Sequence, residues 1–192
     1  SGLVASVAVV ENDTLLAEYT VNYKKTHSQT LLPMLDEISN MTELDLSTID
    51  AIAVAGGPGS FTGLRIGSAT AKGLGLALEK PLISIPTTAA IAYNIWDTDK
   101  FVCPIMDARR NQVYTGVYCY TDHRLDTVWE QDTMSIEALA EGLNCLDHEV
   151  IFLGDGVAVY REKLEALLTI PFSFAPAHVN RQRAAAVGAL AE

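Results

Sequence analysis

Gly56-Gly57-Pro58-Gly59-Ser60-Phe61-Thr62-Gly63-Leu64-Arg65-Ile66-Gly67 lies between two segments of different character. Ahead of it, Ala51 to Ala55 is short, apolar and strand-like. Within and beyond it, small residues recur at every fourth position: Gly63, Gly67, Ala71 and Gly75. The first half is therefore a glycine-rich loop leading from strand to helix, and the second half begins the helix. A glycine inside a helix costs ~1 kcal/mol relative to alanine. Several on one ridge point to close approach by another backbone.

The flanking sequence extends this strand-helix pattern in both directions. Val4 to Val10 is apolar and β-branched, Asn12-Asp13 supplies a turn, and Leu15 to Tyr23 alternates as its hairpin partner. A helix is expected from about Ser28 to Ser39, with Leu31, Met34, Leu35 and Ile38 forming an i, i+3, i+4, i+7 stripe. Pro33 suits only the start of such a helix. After the glycine loop and its helix come a strand at Leu82 to Ile85 and a helix from Thr87 or Thr88 to Ile95. Phe101 to Met106 and Val113 to Tyr120 read as a second hairpin around Asp107 to Asn111. A strand at Val128 to Asp132, a helix at Ser135 to Leu143, a strand at Val150 to Leu153 and a helix at Val157 to Leu168 complete the pattern.

Both halves run through antiparallel strands, helix, strand and helix. This order predicts an α/β fold of two related lobes with a cleft between them, residues 1–97 and 98–192, divided at the Asp-rich stretch Trp96 to Lys100. The chain starts at Ser1-Gly2 and ends within an alanine-rich helical pattern, so it is expected to be a piece of a longer one.

Charge and composition narrow the function. With 192 residues and a formal charge of −11, the chain is globular, and its charge disfavours a direct, phosphate-tracking nucleic-acid surface, so an RNA-related role would need a basic partner. No run of eighteen apolar residues is free of charges or helix breakers, so no membrane span is expected. Cys103, Cys119 and Cys145 lack Cys-x-x-Cys spacing and read as reduced thiols of a cytoplasmic protein.

Chemistry-bearing motifs are sparse. Backbone N–H groups of Gly57, Gly59, Ser60, Phe61 and Thr62 at a helix N-terminus could hold phosphate. The loop lacks the Gly-Lys-Ser/Thr ending of the triphosphate P-loop and the Gly-x-Gly-x-x-Gly of dinucleotide folds, and a tight turn that packs the helix against the sheet is the favoured reading. No His-Glu-x-x-His or Gly-x-Ser-x-Gly occurs, and the four histidines include no i, i+4 pair. His27 reads as a capping or packing residue at the edge of the first helix. Arg109 and Arg110 could meet an anion or merely decorate a turn. Asp155 could hold a ribose hydroxyl or cap the next helix. No metal site and no catalytic residue emerge.

The glycine loop closely resembles the hallmark of the bacterial TsaB family, also called YeaZ, the partner subunits in tRNA N6-threonylcarbamoyladenosine synthesis. The resemblance extends to His27-Ser28-Gln29-Thr30-Leu31-Leu32-Pro33, Lys72-Gly73-Leu74-Gly75, Asp107-Ala108-Arg109-Arg110 with Val113-Tyr114, and Gly154-Asp155-Gly156. It implies two ribonuclease-H-like lobes of the actin-like, sugar-kinase and Hsp70 ATPase architecture. The family usually opens with an apolar strand ending in Asp-Thr-Ser. Only Ser1 matches its last residue, so that first strand is expected to be missing from this chain.

The resemblance further implies a non-catalytic role. A TsaD-type subunit carries the metal and nucleotide and transfers the threonylcarbamoyl group to N6 of adenosine 37, in tRNAs reading codons that begin with A. A TsaE-type ATPase joins the assembly. By the resemblance, this chain binds and activates the transferase through Leu31, Met34, Leu35 and Ile38 of the first helix and Leu64, Gly67, Ala71 and Gly75 of the second. The same helices would form a homodimer. No cofactor is assigned to the chain itself, ATP or ADP is a candidate ligand of the complex, and tRNA is contacted only indirectly. The rival readings are a glycopeptidase-like protease and an independent nucleotide-binding switch.

Overall fold

A computed structural model describes residues 4–22 and 30–192. The chain divides into two compact units, Ser1–Ala90 with Gln182–Glu192, and Ile91–Arg181.

The second unit is built on five strands: β5 (Phe101–Arg109), β6 (Gln112–Thr121), β7 (Arg124–Ser135), β8 (Val150–Leu153) and β9 (Phe172–Phe174). They form one sheet in the order β7-β6-β5-β8-β9. Central β5 runs antiparallel to β6 and parallel to β8. Helices α4 (Ile136–Asn144) and α5 (Val157–Leu167) complete the unit. Ile136, Leu139, Ala140 and Leu143 recur at helical spacing and are essentially inaccessible, packed with Cys103, Ile105 and Phe152. Burying each such leucine or isoleucine is worth roughly 1.5–3 kcal/mol. The Ser135 hydroxyl caps α4 by accepting from the Ala138 N–H at 3.1 Å.

Two strands depart from the sequence reading. β7 runs well beyond Val128 to Asp132 because pairing with β6 is sustained from Thr121↔Arg124 to Gln112↔Ser135, although much of the strand is exposed. β9 was not foreseen. Three residues are too few to show a period, and this strand is held by pairing with β8 and by the Phe172 and Phe174 rings beside Phe152.

In the first unit, β1 (Val4–Glu11) and β2 (Thr14–Asn22) form an antiparallel hairpin. Its turn residues Asn12 and Asp13 both have positive φ, as a two-residue hairpin connection requires. Alternation gives the hairpin two faces. Ala5 and Val7 on one pack with Met34 and Ile38 of α1 (Leu31–Thr42). Ser6, Glu18 and Val10 on the other meet α6 (Ala184–Ala189). β3 (Ile52–Gly57) and β4 (Leu82–Pro86) are parallel neighbours joined through α2 (Phe61–Leu78). Helix α3 (Thr87–Ala92) follows β4 and is shorter than expected.

The first unit repeats the element order of the second with one difference. β1, β2, β3 and β4 correspond in order and direction to β6, β7, β8 and β9. Among the described residues nothing corresponds to central β5, so the strands fall into two separate pairs.

The division between units also differs from residues 1–97 and 98–192. It falls at Ala90/Ile91, and the C-terminal segment from Gln182 belongs to the first unit. Polar anchoring explains the return. Arg183 bonds the Glu18 carboxylate through Nε at 3.0 Å, the Ala184 N–H donates to Ser6 Oγ at 2.9 Å, and the Ala185 N–H donates to Glu18 Oε1 at 3.2 Å. A linear reading of patterns has no means of seeing such a long-range contact. Among the described residues, no helix is long and apolar enough to cross a membrane.

Candidate functional site

The glycine loop leaves β3 through two positions that need glycine for different reasons. Gly57 has φ of +117°, a conformation that side chains rarely adopt. At Gly56, a Cβ would lie 2.1 Å from the Ser84 hydroxyl on β4. Ser60 then caps α2, its hydroxyl accepting from the Gly63 N–H at 3.3 Å. Of the phosphate candidates, Gly57 is buried, Gly59 is half-buried, and Ser60, Phe61 and Thr62 are exposed. The Ser60 hydroxyl already serves the helix. A tight, capped turn therefore accounts for this geometry.

The small-residue ridge of α2 divides along its length. Ala71 and Gly75 are buried in their own unit, and a Cβ on Gly75 would come within 3.0 Å of Leu82 Cδ2 and 3.1 Å of the Lys80 carbonyl. Gly67 is different: a Cβ there meets nothing within 4 Å, and the same holds at Gly73. Leu64 is half-buried. Part of the ridge thus seats the helix on β4, and part remains open.

The stripe on α1 is likewise a core face. Met34 and Ile38 are each 5% exposed, with Leu31 and Leu35 packed at the margin of the same cluster. This corrects the expectation that these side chains lie open to a partner. They are spent on β1 and β2, Gly75 closes on Leu82 of β4, and Ala71 is buried in its own unit. The apolar side chains left at the surface are instead Leu32 and Met41 on α1 and Phe61 and Leu76 on α2. Leu32, Phe61 and Leu76 are out of phase with the apolar stripes, whereas Met41 follows Met34 and Ile38 in phase, so only the structure shows that the buried part of the stripe ends at Ile38.

A groove of about 660 Å³ runs beside α2, lined by Val54, Phe61, Leu64, Arg65, Lys72 and Leu82 among others. The Arg65 guanidinium lies 5.3 Å from the Phe61 ring centroid, within cation–π range.

In the second unit, Gly154-Asp155-Gly156 follows β8. Gly154 has φ of +103°, and Cβ atoms on Gly154 and Gly156 would lie 2.2 Å and 2.9 Å from the Ile105 carbonyl oxygen. The turn is shaped to lie against β5. Asp155 does not cap α5, whose N-cap is Gly156. Its carboxylate accepts from the Asp107 N–H at 3.2 Å, tying β8 to the end of β5. The Tyr160 hydroxyl reaches Asp107 Oδ1 at 3.2 Å. Burial first, then the Asp107 charge, pushes that phenol above its ordinary range.

Cys103 is fully buried and its pKa is pushed up to about 12 by that burial. Cys119 is half-buried and Cys145 exposed, and none of the three is in a disulfide. His123 pairs with Asp97 at 2.6 Å, and His148 bonds the Asp99 carbonyl at 2.9 Å. His27, Ser28 and Gln29 lie outside the described residues. Among the described residues no group of three or more His, Cys, Asp or Glu side chains is placed to hold a metal ion.

Comparison with known proteins gives the family. Residues 14–192 match the family model described as TsaD: tRNA N6-adenosine threonylcarbamoyltransferase. The "tRNA threonylcarbamoyladenosine biosynthesis protein TsaB" of Bacillus subtilis is 34% identical over 168 residues, covering 88% of this chain and 73% of that protein. The Haemophilus influenzae protein of the same name is 33% identical over 155 residues, covering 76% of this chain and 65% of its own length. Among solved structures, YeaZ from Pseudomonas aeruginosa superposes with a TM-score of 0.79 at 25% identity, covering 95% of this chain and 83% of that one. A polyphosphate/ATP-glucomannokinase from Arthrobacter, at 17% identity and TM-score 0.52 over 98% of this chain and 93% of its own, shares the fold alone. The hallmark loop, the repeated lobe topology and these matches together place the chain in the TsaB (YeaZ) family.

Proposed function

We propose that this chain is a non-catalytic, activating subunit of the cytoplasmic assembly that makes N6-threonylcarbamoyladenosine at position 37 of tRNAs reading codons that begin with A. It docks on a TsaD-type transferase through the outward faces of α1 and α2, and a TsaE-type ATPase completes the complex. The carrying observation is that these helices keep Leu32, Met41, Phe61 and Leu76 exposed, with open ground at Gly67 and Gly73. Large apolar side chains beside bare backbone suit a covering helix. A specific interface of this type buries ~1,600 Å² in total. The same faces serve a homodimer when the transferase is absent.

The net charge of −11 supports a division of labour in which the partner holds most of the tRNA. ATP or ADP is assigned to the assembly rather than to this chain. The test combines the chain with a TsaD-type transferase and unmodified tRNA, and measures modification with and without Gly67→Leu. Nothing lies within 4 Å of the added Cβ, so the variant is expected to fold, which its melting temperature checks, and the clash is expected to fall on the partner. Loss of complex and of modification is the expected result. Unimpaired binding and modification by Gly67→Leu would remove α2 from the interface.

A further inference from the structure

The two units treat one corresponding place differently. In the second, β9 pairs with β8 in the register Val150↔Phe172 and Phe152↔Phe174. The rings of Phe152, Phe172 and Phe174 lie at centroid separations of 5.7 to 6.3 Å, and the Arg161 guanidinium of α5 sits 4.0 Å over Phe174. The chain thus fills the space between α5 and its edge strand with its own aromatic side chains.

In the first unit, β4 pairs with β3 in the same sense, Ile52↔Leu82 and Val54↔Ser84. Leu82 and Ser84 line the groove beside α2, which places them on the helix side of β4 as Phe172 and Phe174 are on β9. Leu82, Ser84 and Val54 therefore stand where the second unit has three phenylalanines. Arg65 is the fifth residue of α2, as Arg161 is of α5, but it lies over Phe61 of its own helix. What three rings fill in one unit is left in the other as a groove of about 660 Å³.

The groove also reverses the sign of the chain's charge. β3, α2 and β4, which form it, contain no Asp or Glu, although the chain has 24 acidic residues among 192. Their only charged side chains are Arg65 and Lys72, both exposed and both lining the groove. Its remaining walls are apolar apart from the hydroxyls of Ser68 and Ser84. A nucleobase buried there would leave most of its edge donors and acceptors to two serines. A phenylalanine-like side chain has none to satisfy.

The outer edge of the groove has helical spacing. Phe61, Arg65, Ala69, Lys72 and Leu76 recur at intervals of four, four, three and four, and all five are exposed. The groove is therefore continuous with Phe61 and Leu76, the exposed apolar residues of α2 on which docking already relies.

We propose that this groove receives an acidic, aromatic-bearing helix of the TsaD-type partner. One aromatic side chain inserts between α2 and β4, and carboxylates of the same helix meet Arg65 and Lys72. This rests on the reading of α2 as a docking element and states the chemistry of what docks there.

The test measures the Kd of the full chain for a TsaD-type transferase across a salt series. Arg65→Glu/Lys72→Glu should raise Kd about a hundredfold and abolish the weakening of binding by salt. Arg65→Lys/Lys72→Arg keeps both charges and should bind within a few fold of the parent. Ser84→Phe restores the ring of Phe174 and should raise Kd about tenfold by occupying the groove from within. Its melting temperature, expected at or above the parent's, shows that it folds. Should it melt lower, the charge-reversed pair decides alone, because both residues are exposed. A folded Ser84→Phe with unchanged Kd overturns the inserted ring. Unchanged binding by the reversed pair, while Gly67→Leu abolishes binding, overturns the groove and leaves the docking reading standing. Unchanged binding in both removes the two together. Equal loss in the exchanged pair also overturns the proposal, since charge would not be the cause. Two further arms address other occupants. Calorimetry in which the free chain binds ATP and the reversed pair does not would put a nucleotide in the groove. Sedimentation in which only self-association is lost would put a second copy there. Either result overturns the partner helix.

Discussion

At the scale of single residues, two glycines of similar appearance in the sequence have opposite roles. Gly154 combines φ of +103° with a carbonyl oxygen 2.2 Å from where a Cβ would sit. Gly154→Ala must strain the backbone and push β8 away from β5, and is expected to cost about 3 kcal/mol or more. Chemical denaturation would read this as a lower midpoint. Gly73 lies in open space on a helix, so Gly73→Ala should raise stability by ~1 kcal/mol in the same assay. Cys103 supplies a pH test. Its thiol is raised from 9.0 to about 12 in the folded state, so the unfolded chain loses that proton first. Folding stability from this group is intact below pH 9 and falls as pH rises through the window toward 12. Urea midpoints measured from pH 8 to 11 should decline, and Cys103→Ala should flatten the decline.

At the scale of elements, α1 shows how one helix carries two kinds of apolar residue. Ile38→Ala should cost roughly 2–4 kcal/mol by opening a cavity against β1 and β2. Met41→Ala, at 78% exposure, should leave the melting temperature nearly unchanged and weaken transferase binding instead. Equal effects of both changes on stability would mean that Met41 also serves the core. The periodic stripe was legible in the sequence because burial selects every third or fourth position. Which stripe meets its own sheet and which side chains face outward was not, because periodicity gives a direction on the helix and not the identity of what lies there.

At the scale of the whole molecule, the return of the C-terminal segment ties the chain's two ends into one unit. The Glu18 carboxylate is only 11% exposed and takes Arg183 and the Ala185 N–H. Arg183→Ala should cost roughly 2 kcal/mol by stripping a charge-assisted hydrogen bond from a mostly buried carboxylate. Hydrogen exchange should localise that loss to β1, β2 and α6, with β5 to β9 retaining their protection. Uniform loss across both units would contradict the division at Ala90/Ile91.

The glycine loop, the hairpins and the repeated order of strand and helix were readable from residues alone. Turn chemistry, alternation and helical spacing are local properties of neighbouring side chains, and local chemistry is what a sequence displays. The membership of residues 182–192 in the first unit, the burial of Met34, Ile38, Ala71 and Gly75, the opening at Gly67 and the groove beside α2 were decided by tertiary structure. Each depends on contacts between segments far apart in the chain, such as Arg183 with Glu18 or Asp155 with Asp107, and their partners are fixed only when the sheets and helices pack.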